Sequence, residues 1–174
     1  SYAIEFVRNG VEIDHNLFDF DPAKDHGNLI SAFGKAGAQG PASFHHNYVS
    51  NPGRGVIWIN EPFNRLHIHH NHIIARTTVT PRTEGLFAFN PACDFSTFRI
   101  TDNIIECRGT PRPLLRNDAT AAAVIENNEL TGITDTERYS NPMTDAPRGP
   151  GELRFTCGVN DEWQVHDWQT EKKP

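Results

Sequence analysis

The stretch Leu66-His67-Ile68-His69-His70-Asn71-His72-Ile73-Ile74 decides the fold of this chain: it is a short apolar strand crowded with histidine. The same pattern returns four more times, and the other copies are Val11–Asn16, Ala42–Asn47, Phe98–Asn103 and Ala123–Asn128. In every copy an apolar or small residue lies five positions before an asparagine, Ile or Phe lies three before it, and an apolar residue lies two after it. Such a repeat indicates a fold built from similar stacked units.

The spacing of the repeats is uneven. Successive asparagines of the pattern are separated by 31, 24, 32 and 25 residues. Because the core pattern stays fixed while the spacing changes, the additional residues belong to loops and not to the repeated strand. No segment shows sustained helical periodicity, which excludes a coiled coil and disfavours a helical-repeat solenoid. The pattern therefore predicts a β-solenoid whose coils carry loops of unequal length.

Length and composition limit the class of protein. With 174 residues, of which 37% are hydrophobic and 22% charged, the chain is expected to form one globular domain. The formal net charge of −6 does not favour a nucleic-acid partner. No apolar run approaches the roughly 18 residues that span a membrane. No signal-peptide pattern is present, so the start at Ser1 indicates a processed or excised product.

The three cysteines, Cys93, Cys107 and Cys157, are an odd number without Cys-x-x-Cys spacing. A structural zinc site made of thiolates is therefore not expected. One disulfide is compatible with the count, but small buried side chains inside the solenoid are the favoured interpretation.

Each asparagine-bearing strand is preceded by another apolar strand and followed by a short third one. One coil is thus a strand, a corner, a strand, an asparagine corner, a strand and a variable loop. The pattern predicts about six coils, the last one incomplete. The predicted first strands are Tyr2–Val7, Asn28–Phe33, Val56–Ile59, Leu86–Phe89, Leu114–Leu115 and Leu153–Cys157.

On these repeats the chain resembles the right-handed parallel β-helix repeat family, the architecture of pectate lyases, polygalacturonases and related carbohydrate-active proteins. The residues that carry the resemblance are Asn16, Asn47, Asn71, Asn103 and Asn128, within most of residues 1–135. It implies an all-β fold, a right-handed parallel β-helix (a single-stranded β-solenoid) with an asparagine ladder. It also implies a protein that is secreted, periplasmic or exposed at the cell surface. It does not fix the reaction, because many chemistries share one scaffold.

The predicted domain spans residues 1–174, with coils over 1–157 and a C-terminal cap over 158–174. An N-terminal cap is missing from this plan, because Tyr2 begins directly in a strand. Either further β-helix coils or a second chain is therefore expected to cover the N-terminal face.

Stacking of the coils at about 4.8 Å would align the template residues in columns. One interior column would comprise Ile13, Phe44, Ile68, Ile100 and Ile125, and another Phe18, Val49, Ile73, Ile105 and Leu130. The asparagine column would turn inward at a tight bend, where Asn tolerates a left-handed backbone.

The histidines are the most unusual feature of the composition. His67 and His69 lie two positions apart on one strand and so point to the same outer face. One coil below, His45 falls in register with His69, and Asp14 lies below His45. Imidazole and carboxylate suit zinc, copper, nickel or manganese, so this patch is a candidate metal site, with calcium, zinc or copper as candidate cofactors. The alternative is a solvated polar face. A second column, expected to make hydrogen bonds at the corner, comprises His15, His46 and His70.

Arginines recur in the loops that lead into the first strands. They are Arg54, Arg82, Arg112 and Arg148, with Arg116 and Lys24 beside them. A row of guanidinium groups suits an anionic sugar chain, because uronate carboxylates bind arginine in a bidentate manner. In the uronate lyases that share the resemblance, a basic residue removes the C5 proton while cations neutralise the carboxylate. Arg82, Arg112 and Arg116 are candidates for these catalytic roles, and Arg54 for substrate binding. The alternative is a role in solubility and pairing with Glu84, Asp118 and Glu152.

Two carboxylates are candidates for catalysing a different reaction, the hydrolysis of a glycosidic bond. Glu61 and Asp118 follow Asn60 and Asn117 at equivalent corners, two coils apart. Their expected separation is about 10 Å, near the roughly 6.5–9.5 Å of inverting glycosidases.

Aromatic side chains that face outward would add platforms on which sugar rings stack. Trp58 and Phe89 are the candidates, with Tyr48 and Phe63 as further aromatics whose direction the alternation leaves open.

The favoured function is that of a carbohydrate-active protein that acts on an extracellular acidic polysaccharide, by lyase-type elimination ahead of hydrolysis. The alternative is a non-catalytic module that binds a glycan, or a fragment of a larger β-helical protein. A third hypothesis is a metal-dependent enzyme centred on Asp14, His45, His67 and His69. Ice binding is disfavoured, because the outward columns mix His, Asp, Glu and Arg. The expected partner is a polysaccharide, with neither nucleic acid nor membrane as a partner.

Overall fold

A computed structural model describes residues 4–6, 10–21, 27–32, 40–76, 85–116, 122–135, 153–157 and 163–167. Over these residues the chain is all-β, with three parallel sheets, one two-stranded antiparallel sheet and a short 3₁₀ helix, Phe95–Thr97. Within the described part, no helix is long and apolar enough to cross a membrane.

The three parallel sheets are named here A, B and C. Sheets B and C each take one strand from all five repeats, and sheet A takes one strand from four of them. Sheet A comprises β1 (Ile4–Phe6), β4 (Asn28–Ala32), β7 (Gly55–Ile59) and β10 (Phe87–Phe89). Sheet B comprises β2 (Val11–Asp14), β5 (Ala42–His45), β8 (Leu66–His69), β11 (Arg99–Thr101) and β13 (Val124–Glu126). Sheet C comprises β3 (Leu17–Asp19), β6 (Tyr48–Ser50), β9 (His72–Ala75), β12 (Ile104–Cys107) and β14 (Glu129–Thr131).

The chain visits these sheets in a fixed order. It passes from A to B to C, and then returns to A beside the strand that it left one repeat earlier. An isolated parallel bridge between Phe87 and Leu115 continues sheet A for one more residue. The spacing of the asparagines is therefore uneven because the segments that connect the strands differ in length, while the strands themselves pair in register.

Register places the repeated apolar residues directly above one another. In sheet B, Ile13 pairs with Phe44, Phe44 with Ile68, and Ile68 with Ile100. In sheet C the paired column comprises Phe18, Val49, Ile73, Ile105 and Leu130. All of these except Ile13 and Phe18 are buried. Full burial of such a side chain contributes roughly 1.5–3 kcal/mol, so these columns are the main source of stability.

Burial alternates along the strands of sheet B, because successive side chains of a strand point to opposite faces. The first and third residues of β5 and β8 are buried, and the second and fourth are half-buried. The outward positions therefore form two rows across the sheet. The first row comprises Glu12, Ser43, His67 and Arg99, and the second Asp14, His45, His69 and Thr101.

The five asparagines form a hydrogen-bonded ladder at the corner between sheets B and C. Oδ1 of Asn71 accepts the backbone N–H and the Nδ2–H of Asn47, at 3.0 and 3.1 Å. The N–H and Nδ2 of Asn71 in turn donate to Oδ1 of Asn103, at 3.0 and 2.8 Å. Nδ2 of Asn71 also donates to the carbonyl oxygens of Phe44 and His69. The same pattern links Asn16 to Asn47 and Asn103 to Asn128.

The residue before each ladder asparagine has a left-handed backbone. The φ angles are 52° at His15, 53° at His46, 52° at His70, 58° at Asp102 and 56° at Asn127. This conformation turns the chain sharply from sheet B into sheet C and points the asparagine side chain inward.

The C-terminal part departs from the predicted plan. Leu153–Cys157, expected as the first strand of another coil, is β15 and pairs in antiparallel fashion with β16 (Trp163–Asp167). The prediction is wrong because a neighbouring antiparallel strand, and not a parallel strand one repeat away, supplies the hydrogen bonds of this apolar stretch.

Candidate functional site

A groove on the outer face of sheet A is lined by three of the residues that the sequence predicted to contact substrate, Trp58, Phe89 and Arg116. Asn60 and Asn90 contribute amides at its corner. Its volume is about 330 Å³. The remaining lining residues are Ile59, Ala88 and Pro91.

The register of sheet A explains this juxtaposition. Trp58 is half-buried and its two neighbours in β7 are buried, so its ring faces outward. Trp58 pairs with Ala88 of β10, and the N–H of Arg116 donates to the carbonyl oxygen of Phe87 at 3.0 Å. Trp58 and Arg116 are therefore two strand spacings apart, about 10 Å. The small Ala88 between them leaves a floor on which a flat ligand can lie.

Arg112, predicted as a catalytic cation on an exposed edge, is instead buried, with 8% of its surface exposed. Its guanidinium donates to the carbonyl oxygens of Gly53, at 3.4 Å, and of Arg54. The prediction that Arg112 belongs to an exposed row is wrong, because its guanidinium hydrogen-bonds backbone carbonyl oxygens of another repeat and is buried there. The side chains of Arg54 and Arg116 are exposed. The other members of the predicted row, Lys24, Arg82 and Arg148, lie outside the described residues.

The predicted carboxylate pair stays a prediction, because the structure describes only one of its two members. Glu61 is exposed and does not line the sheet A groove, and Asp118 lies outside the described residues.

The candidate stacking aromatics divide between core and surface. Phe89 is 3% exposed and packs against Phe87, Phe95 and Phe98. Its predicted role as an exposed stacking platform is wrong, because its side chain is buried within this phenylalanine cluster. Trp58 is half-buried and remains the aromatic side chain of the groove. Of the two other aromatics, Phe63 is buried and Tyr48 is half-buried.

Six histidines form one contiguous surface cluster on sheet B and its corner, called here the imidazole array. They are His15, His45, His46, His67, His69 and His70. Register stacks the His45 and His69 rings with centroids 4.7 Å apart, and the His46 and His70 rings with centroids 5.1 Å apart. The left-handed corner brings the second ring of each adjacent pair beside the first.

Hydrogen bonds within the array fix several proton positions. Nδ1 of His45 lies 2.7 Å from Nδ1 of His46, and Nδ1 of His69 lies 2.9 Å from Nδ1 of His70. In each pair one Nδ1–H donates and the other Nδ1 accepts. Nε2 of His45 donates to Oε1 of Glu12 at 2.7 Å. Because neutral His45 then carries its proton on Nε2, its Nδ1 accepts the proton of His46.

Three histidines of the array have lowered pKa values. Burial lowers the pKa of His46 to about 4 and that of His69 to about 3, and repulsion from neighbouring imidazoles adds to the effect. The pKa of His67 is lowered by burial and by the charge of Arg99. The pKa of Asp14 is lowered mainly by its hydrogen bond with His15.

The four predicted metal ligands do not converge on a common point. His69 lies between His45 and His67, with ring centroids 4.7 and 4.0 Å away, whereas the carboxylate of Asp14 bonds His15 at 2.7 Å. Among the described residues, no group of three or more His, Cys, Asp or Glu side chains is arranged to hold a metal ion.

Sequence reasoning missed a second groove, which crosses sheet B beside the array. Its volume is about 440 Å³, and its outward side chains are those of the first row of sheet B, with Arg65 and Thr97 at the rim. The repeat itself could have predicted this row, because each of its residues directly precedes the Ile or Phe of the repeated pattern. These residues are Glu12, Ser43, His67 and Arg99.

No protein-family model matches this chain, and neither a curated protein nor a solved structure matches it.

Proposed function

We propose that this protein is a right-handed parallel β-helix that binds an acidic polysaccharide across sheet A. The order in which the chain visits the three parallel sheets supports a single-stranded solenoid. Crossovers between parallel strands of one sheet are right-handed in about 98% of cases, which supports the handedness. The proposed location is outside the cytoplasm, where such polysaccharides occur.

The observation that carries the binding proposal is the presence of Trp58 and Arg116 in one groove. An indole face stacks on the apolar face of a sugar ring, and a guanidinium binds a carboxylate through two parallel hydrogen bonds. The amides of Asn60 and Asn90 can exchange hydrogen bonds with sugar hydroxyl groups. The groove therefore offers one complementary group to each part of a uronate residue.

Elimination is favoured over hydrolysis as the reaction. Hydrolysis uses two carboxyl groups, and the described lining of the groove contains none. In an elimination a base, here a hydroxide ion from solvent, takes the C5 proton, and the electron pair of the C5–H bond forms a C4=C5 double bond. The C4–O bond breaks, and the departing oxygen takes a proton from water. Arg116 is the group that would neutralise the uronate carboxylate, and binding without cleavage is the alternative.

Replacement of Arg116 by Gln tests the binding site. Calorimetric titration with oligogalacturonate and oligoalginate should show roughly tenfold or greater loss of affinity, because a charge-assisted bidentate contact is removed. Trp58→Ala should weaken binding to a similar degree through the loss of stacking. Arg99→Gln, which removes an exposed arginine on sheet B, is the matched control and should bind as the wild type does. Equal affinities for all four proteins would contradict the proposal.

The reaction is tested with the same oligosaccharides. Elimination creates an unsaturated product that absorbs in the ultraviolet, whereas binding alone does not. Absorbance that grows with wild-type protein and is lost in Arg116→Gln would support a lyase. Tight binding without any absorbance across a uronate panel would leave the glycan-binding module as the function.

A further inference from the structure

The adjacent histidines His45 and His46 hold their two Nδ1 atoms 2.7 Å apart, and His69 and His70 repeat this arrangement at 2.9 Å one strand away. Two nitrogen ligands about 2.1 Å from one ion, at right angles, would lie about 3.0 Å apart. The spacing is therefore that of two neighbouring positions in a square-planar or tetragonal metal site. One proton shared between the two Nδ1 atoms holds each pair together.

We propose that the pair His45–His46 binds a divalent transition metal of tetragonal preference, Cu²⁺ or Ni²⁺, through both Nδ1 atoms. The metal replaces the shared proton, which leaves to solvent, and a rotation of the rings turns both lone pairs toward the ion. Water completes the coordination, since the described residues place no third ligand at this point. This set differs from the four-residue patch that the sequence predicted, because His46 of the corner takes the place of Asp14, His67 and His69.

The carboxylate of Glu12 is the second observation that points to a ligand here. A histidine that ligates a metal commonly donates its other ring N–H to a carboxylate, which fixes the tautomer and the ring orientation. His45 makes this contact, with Nε2 to Oε1 of Glu12 at 2.7 Å. The contact leaves Nδ1 of His45 unprotonated and directed at the proposed site. The second pair has a weaker equivalent, since Nε2 of His69 lies 3.4 Å from the hydroxyl oxygen of Ser43.

The backbone of the site is held independently of any metal. Parallel pairing fixes His45 beside Asp14 and His69, and the ladder fixes the corner through Asn47, which is fully buried. The left-handed conformation of His46, with φ of 53°, brings its ring beside that of His45. The two ligands are thus close together before binding, which reduces the conformational entropy lost on coordination.

The test uses the full, untagged chain after treatment with a chelator. CuCl₂ is titrated in the presence of glycine as a competing ligand, and electron paramagnetic resonance counts the nitrogen ligands. The wild type should bind Cu²⁺ with two imidazole nitrogens. His46→Gln should lose roughly tenfold or more in affinity and one nitrogen ligand. His72→Gln is the matched control, because His72 lies on sheet C and bonds Glu106 at 2.8 Å, outside the array.

Glu12→Gln tests the orienting role without removing a ligand. This exposed substitution should weaken Cu²⁺ binding by roughly tenfold while both nitrogens stay coordinated. Far-ultraviolet circular dichroism should confirm that each variant is folded. Undiminished Cu²⁺ affinity in both His46→Gln and Glu12→Gln would overturn the proposal. An equal loss in His72→Gln would overturn it as well, since binding would then not depend on this pair. Neither result bears on the sheet A groove, which contains no residue of the array.

Discussion

An asparagine stabilises the corner of each repeat through hydrogen bonds that an apolar residue of similar size cannot make. The amide of Asn71 accepts two hydrogen bonds from Asn47 and donates to Asn103, Phe44 and His69. It is 1% exposed, so none of these contacts can be replaced by water. The position therefore requires both a donor and an acceptor on a short side chain.

Replacement of Asn71 by Ala should lower the free energy of unfolding by roughly 3 kcal/mol, because the buried N–H of Asn47 loses its acceptor and two carbonyl oxygens lose a donor. Asn16→Ala, at the partly exposed end of the ladder, is the comparison and should cost about 1 kcal/mol or less. Urea denaturation measures both values. Similar losses at the two positions would contradict the view that the ladder depends on burial.

At the scale of the element, the unit that repeats is a strand that ends in a left-handed corner. Asn127 occupies this corner in the last repeat and Asp102 in the one before, and both residue types tolerate a positive φ. Histidine at the other corners is a costlier choice for the backbone. The rings of two of these corner residues, His46 and His70, stack with centroids 5.1 Å apart.

The corner conformation can be tested at His70, which is exposed. His70→Asn should preserve or raise the thermal midpoint, because asparagine adopts this backbone readily. His70→Ala should be roughly 1 kcal/mol less stable than His70→Asn, since alanine lacks a polar side chain that favours positive φ. Both variants remove the same ring, so their difference isolates the backbone. A higher midpoint for His70→Ala than for His70→Asn would show that the corner is not under this constraint.

The outer face of sheet B should also make the protein sensitive to mild acid. The pKa values of His46, His67 and His69 in the folded protein are below the ordinary histidine value of 6.5. At a pH between 6.5 and these lowered pKa values, the unfolded chain therefore binds more protons than the folded chain. The free energy of unfolding should therefore fall as the pH drops below about 6.5, before most carboxylates titrate. The free energy of unfolding should continue to decrease toward pH 4 and below.

Urea midpoints measured at pH 8, 6 and 5 check this expectation. The double variant His46→Gln, His69→Gln should show a flatter dependence over the same range, because two of the depressed imidazoles are gone. A wild-type midpoint that does not change between pH 8 and pH 5 would rule out the array as the source of acid sensitivity.

At the scale of the whole molecule, the two ends of the stack differ. Ile13 and Phe18, in the first strands of sheets B and C, are partly exposed, whereas their counterparts Ile125 and Leu130 are 5% and 6% exposed. The expectation that further coils or a second chain cover the N-terminal face stays a prediction.

The sequence by itself determined the repeated strand, its register and the inward direction of the asparagines, because these depend on the local period of two and on a pattern that returns in every repeat. It also placed Trp58 and Arg116 two coils apart along the predicted first strands. It did not decide which arginines stay in solvent, since Arg112 is buried by carbonyl oxygens that lie 58 and 59 residues away in the chain.

Only the tertiary structure decided how the polar side chains pair. The tautomer of His45 follows from Glu12, which is 33 residues away in sequence and one strand away in space. The burial of Phe89 follows from three other phenylalanines, and the direction of β15 from its antiparallel partner β16. Such contacts depend on distances between segments that no local pattern records. The repeat determines the position of a side chain in its strand. The contacts of that side chain with residues of other strands determine its exposure and its hydrogen bonds.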